Sequence, residues 1–126
     1  MTSIILVEKD EENEHLVPTI WRGSLTAAAD ALAAGNYTLT NVSLVQPLDD
    51  ETAAYIKDNI ADYGCTLTAL PEQSLDTSIS SWQLDHWDVL VDLFTQEEGR
   101  SDLVMQVRVV EDGPGFLFNV HLVYVP

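Results

Sequence analysis

Asp88 and Asp92 stand four residues apart in WDVLVDLFT, which puts both carboxylates on one face of a strand. Such a pair held in a pocket can divide general-acid from general-base work once its surroundings separate the two proton affinities. Among 21 acids, however, a pair at any chosen spacing arises by chance, and this one is no evidence of catalysis. His15, His86 and His121 show no HxH, HxxxH or HExxH spacing, and Cys65 is the only cysteine, so a zinc site would need ligands from distant segments. His86, beside Asp85 and Asp88, is the best single ligand candidate, but the same neighbours suit an ordinary surface histidine. There is no Walker loop, GxGxxG or GxSxG. Asp112-Gly113-Pro114-Gly115 is unfit to cradle phosphate, because an acid precedes it and proline removes a donor N–H. The residues predict no catalytic group, no metal and no cofactor.

Charge says more. Against the 21 acids stand Lys9, Arg22, Lys57, Arg100 and Arg108, a net charge of −16. Solubility of a small domain asks for a magnitude of only about 2 to 8. A field of this size repels phosphate backbones and anionic membranes, and it steers basic proteins inward at raised association rates. Nucleic acid and membrane are therefore excluded as partners, and a basic protein is favoured. Acids in LDDETAAYIKDNIADYG (Asp50, Glu51, Asp58 and Asp62) and in QEEGRSD (Glu97, Glu98 and Asp102) are the candidate contacts. Trp82, set among Ser80, Ser81 and Gln83, reads either as a core plug or as an interface anchor, since binding hot spots favour tryptophan.

These residues need elements to hold them. In GSLTAAADALAAGNY, Ser24 is placed to cap a helix whose inner face is Leu25, Ala28, Ala29 and Leu32, with Gly35 at its left-handed end. A second helix begins at a cap on Asp49 or Asp50 and ends at Gly64, burying Ala53, Ile56, Ile60 and Tyr63. Strands are predicted over Ser3 to Glu8, Tyr37 to Val45 and CTLTAL, and PEQSLDTSISS reads as a loop with one helical turn near Leu75. From Trp87 a three-stranded meander follows, with Trp87, Val89, Val91 and Leu93 on one face, then Leu103, Met105, Val107 and Val109. In its last strand Phe116, Phe118, Val120, Leu122 and Tyr124 alternate against Leu117, Asn119, His121 and Val123. Between the first two strands Gly99 supplies a bulge or left-handed turn, and Arg100 can fork onto Asp102 or Glu98 or reach Asp92 across the hairpin. The expected fold is a single α+β domain over residues 1–126, two helices packed on one face of an antiparallel sheet that ends in the meander.

No uncharged apolar run approaches the roughly 20 residues of a membrane span. MTSIILVEKDEENE lacks the basic start of a signal peptide. With one cysteine and no disulfide, a cytoplasmic location is expected, and the sequons at Asn36 and Asn41 read as chance matches.

The run WDVLVDL, then EEGRSDL, then RVVED resembles the C-terminal part of an uncharacterised family of small bacterial domains, a likeness that implies membership and fold but no activity. In build the chain is similar to immunity proteins of contact-dependent growth inhibition and related toxin systems: small, acidic and without cofactor. That likeness implies a non-enzymatic protein that binds a basic, nuclease-type toxin domain and blocks its active site. Two other readings stay open: a phage-type inhibitor that mimics DNA with rows of carboxylates, and an enzymatic or small-ligand domain using Asp88 or Asp92 in a pocket.

Overall fold

The computed structural model describes residues 7–126, so the strand expected from Ser3 falls largely outside the described residues. The chain forms a five-stranded antiparallel sheet in the order β1 (His15–Leu16), β2 (Ile79–Trp82), β3 (Trp87–Thr95), β4 (Gly99–Asp112), β5 (Gly115–Tyr124). Between β1 and β2 lie two helices, α1 (Arg22–Ala33) and α2 (Asp50–Tyr63). Leu25, Ala28, Ala29 and Leu32 of α1 and Ile56 and Ile60 of α2 share one buried cluster with Val89, Val91, Met105 and Val107. This is the α+β arrangement that the sequence predicts.

The second helix follows its end signals. Asp49 is the cap, its Oδ1 accepting from the Thr52 N–H at 2.7 Å, and Gly64 closes the helix at φ +78°. The first helix ends as expected but begins otherwise. Gly35 adopts φ +87°, and Gly35 and Asn36 donate back to Leu32 O and Ala31 O in a Schellman closure. Ser24, however, is no cap: a single 3-10 turn, Thr19–Trp21, runs straight into the helix after Pro18, and the Arg22 N–H donates to Thr19 O. The turn absorbs that free N–H, and Ser24 lies inside the first turn.

Two strand assignments and one loop assignment need correction. Tyr37 to Val45 is a series of turns in which Leu39, Asn41 and Leu44 take φ of 55°, 63° and 64°, outside the range of strands. Asn36 directs this, its amide donating to Thr40 O at 3.0 Å while its Oδ1 accepts from Thr40 N at 3.3 Å. Only Val45 makes a bridge, in parallel with Phe118. CTLTAL likewise contributes a single bridge, Leu67 to Thr95. Conversely, the C-terminal part of PEQSLDTSISS is strand β2, after a 3-10 turn at Glu72–Asp76.

The meander is as expected except for its last strand. Val107 pairs with Val120 and Gln106 with Leu122, so His121 is an extra residue, a β-bulge that reverses the alternation beyond it. Val123 is therefore fully buried, and Leu122 and Tyr124 turn to the opposite, uncovered face.

Candidate partner-binding face

Helix α2 lays its acids outward in order. Ala53, Ile56 and Ile60 face the core, which leaves Glu51, Tyr55, Asp58 and Asp62 along one exposed stripe at helical spacing. Asp50 and Glu51 occupy the first turn, where the helix dipole favours them. Tyr55 is 58% exposed, a large aromatic group left in water between acids. Sequence reasoning passed over it, although its phase opposite Ile56 and Ile60 was the available signal.

Beside this stripe runs a trough between α2 and the uncovered face of β4 and β5. It has three compartments along the helix. Near the helix start a cavity of about 420 Å³ is lined by Asp49, Thr52, Arg108, Asn119 and His121. The middle one, about 600 Å³, lies between Glu51, Tyr55 and Asp58 on one side and Gln106, His121 and Leu122 on the other. Toward the helix end, about 290 Å³ is bounded by Asn59, Asp62, Leu103 and Tyr124. The Asn59 amide donates to Val123 O at 2.9 Å and ties the helix to the sheet beneath this end. Burial, and then the Arg108 charge, lower the proton affinity of His121 below that of an ordinary histidine. The bulge that places His121 in the trough left no mark in the sequence.

The 96–98 turn joins the far end of α2. Gly99 takes φ +72°, as its position in the turn demands. Glu97 Oε1 accepts from the Thr66 N–H at 2.7 Å, which holds its carboxyl below the usual range. Glu98 Oε1 accepts from the Tyr63 hydroxyl at 2.5 Å, and that hydroxyl accepts from the Asp102 N–H at 3.2 Å. The carboxylate of Glu98 raises the proton affinity of Tyr63 in return. Tyr63 thus brings the two predicted acidic groups together. It also occupies Glu98, as Thr66 occupies Glu97, so these carboxylates dock the turn. Of its three candidate partners Arg100 takes Asp92, at 3.6 Å. Cys65 lies alongside, its thiol pushed up by burial and then by Glu97 and Glu98, which keeps it a poor nucleophile.

Trp82 stands apart from this face. It ends β2 opposite Trp87, with ring centroids 4.6 Å apart, and Lys9 Nζ lies 5.1 Å from its ring while bonding Glu111 at 2.7 Å. Trp87 pairs with Val109, seven residues along β4 from Asp102, a separation of roughly 23 Å at strand rise.

The remaining chemical candidates are engaged with one another. Asp92 accepts from the Thr77 hydroxyl at 2.6 Å and faces Arg100, and Asp88 lies 3.3 Å from His86 Nε2. His86 Nδ1 contacts Asp85 at 2.5 Å, so both ring nitrogens have a carboxylate partner. Glu8, Asp10 and His15 also place one ligand atom each within 4.8 Å of one another. There Asp10 sits on Nε2 at 3.0 Å and Glu8 on Nδ1 at 3.9 Å. At closest approach the two acids thus take different ring nitrogens.

A family model described as Domain of unknown function (DUF7668) matches residues 29–126. The chain belongs to this family. The matched span takes in α2, the trough and the 96–98 turn, and it leaves out β1 and the Glu8, Asp10, His15 group. No curated protein and no solved structure matches the chain significantly. Among the described residues no helix is long and apolar enough to cross a membrane.

Proposed function

We propose that this domain is a non-enzymatic binding protein for a basic partner, of the kind that immunity proteins present to a basic nuclease-type toxin domain in the cytoplasm. One observation carries the reading. Every acidic and basic side chain lies within the described residues, and Lys and Arg come within 4.0 Å of only three of the 21 acids: Glu111, Asp76 and Asp92. The remaining charge is not consumed in internal pairs. It projects outward as a field that concentrates cationic partners and raises their association rate. The acidic stripe of α2, with exposed Tyr55 at its centre, gives that field a contact surface of the composition in which aromatic anchors dominate affinity.

The test is to capture partners from source-cell lysate on the immobilised domain at low salt, identify them by mass spectrometry, and measure association against ionic strength. A basic protein is expected, with an on-rate that falls steeply as salt rises. Glu51→Lys with Asp58→Lys should slow association at least about tenfold at low salt and flatten the dependence. A neutral or acidic partner, or an on-rate indifferent to salt, would reject the reading.

A further inference from the structure

Resting on that reading, we infer that the trough along α2 seats a lysine- and arginine-rich peptide segment of the partner, with one apolar side chain set between Tyr55 and Leu122. The three compartments follow the full helix of 14 residues, about 21 Å at helical rise, which about six residues of extended chain would cover. Small-molecule sites enclose most of their ligand. This trough is open along its length, a shape that takes a chain.

Charge complementarity identifies the occupant. Glu51, Asp58 and Asp62 line the helix wall with no Lys or Arg within 4.0 Å among the described residues. The floor between Gln106, Leu122 and Tyr124 is only half-buried, so part of an apolar strand face stays wet beside the acids. Lysine and arginine suit this pairing, because their methylene stems lie on apolar surface while the charged heads reach carboxylates. The trough is also directional. Arg108, with no carboxylate within 4.0 Å among the described residues, stands at the compartment near the start of α2. Asp49 lines that same compartment and offsets the Arg108 charge there, so the segment sets its cationic residues toward Glu51, Asp58 and Asp62.

The probe is a fluorescein-labelled octapeptide alternating lysine and leucine, titrated by anisotropy at low salt into three proteins. These are the wild type, a trough variant (E51Q/D58N/D62N) and a charge-matched control in the exposed segment before β1 (E11Q/E12Q/E14Q). Exposed ion pairs are individually weak, so loss of all three should raise Kd about tenfold in the trough variant and less than about threefold in the control. Tyr55→Ala should weaken binding without altering net charge. All these positions are exposed, and a thermal melt confirms that each variant is folded. Equal weakening by trough and control variants overturns the seat and assigns binding to diffuse charge, leaving the basic-partner reading intact. If the octapeptide fails to bind, the inference falls. Poly-L-lysine, added to the wild type, then separates the two claims: its binding spares the basic-partner reading, and its failure removes that as well.

Discussion

Ser101, in the middle of EEGRSD, holds this turn more firmly than the charged residues around it. Asp92 pairs with Val104 and Phe94 with Arg100, so Ser101, Asp102 and Leu103 all stand opposite the single Leu93, an irregularity that breaks the ladder. The Ser101 hydroxyl mends it, donating to Leu93 O at 2.8 Å and accepting from the Leu103 N–H at 3.1 Å. Ser101, Leu93 and Leu103 are all buried, so Ser101→Ala would strand a carbonyl and an amide away from water. An unpaired buried polar group costs roughly 1–3 kcal/mol, and about 2 kcal/mol is expected here. With a urea slope near 2 kcal/mol per M, the unfolding midpoint falls by about 1 M at unchanged slope. Arg100→Ala is the comparison. Its ion pair with Asp92 is 3.6 Å long and the arginine is 61% exposed, so its loss should cost less than about 0.5 kcal/mol. Equal midpoint shifts in the two variants, or a larger one for Arg100→Ala, would show that charge rather than the hydroxyl secures the hairpin.

A Cβ added at Gly99 would meet no atom within 4 Å, yet the residue adopts φ +72°, so Gly99→Ala should cost about 1–2 kcal/mol from backbone conformation alone, read as a lower urea midpoint; Gly23→Ala, in open helical space, should not lower it. Stability should fall on acidification. His15 foremost, with the Glu12 N–H and Asn13, lowers the Asp10 carboxyl from 3.8 to about 2; Thr52 lowers Asp49 and the Thr66 N–H lowers Glu97. Each binds its proton more readily when unfolded, so their contribution is complete above the unfolded values near pH 4 and is lost as pH drops toward 2. Urea midpoints at pH 5, 4, 3 and 2 should decline through that window and decline less in Asp10→Asn; midpoints that did not move would contradict these bonds.

What the sequence disclosed was whatever local chemistry decides by itself. Asp49 and Gly64 delimit α2 because a cap and a left-handed stop act within one turn of chain. The meander was legible because burial imposes a period of two on β3 and β4. Failures arose where a single side chain or a distant partner overruled the pattern. The alternation from Tyr37 to Val45 is genuine, but Asn36 clasps Thr40 by both backbone groups and winds the segment into turns. Strand β2 hid behind serines that read as loop. Ser78 and Ser80 are buried, their hydroxyls donating to Ser74 O and His15 O. The bulge at His121 depends on how β5 registers against β4, which no local rule sets. The candidate face divides in the same way: the acid stripe of α2 follows from helical phase, whereas the trough beside it exists only after the bulge turns Leu122 and Tyr124 outward.

The acids consequently differ in what they can contribute to a partner. Glu97 and Glu98 each commit one carboxylate oxygen to holding the turn against Thr66 and Tyr63, so part of their charge is already satisfied within the fold. Glu51, Asp58 and Asp62 make no such bond to another side chain among the described residues, so a partner meets their charge undivided. Neutralising one acid of either group changes the distant field by the same unit charge and should alter steering alike. Only acids in the trough should also change how long a complex lasts, since dissociation reports the contacts made after encounter. The QEEGRSD stretch, the most conspicuous in the sequence, supports the face proposed for the partner, and the plainer helix α2 supplies the acids of that proposed face.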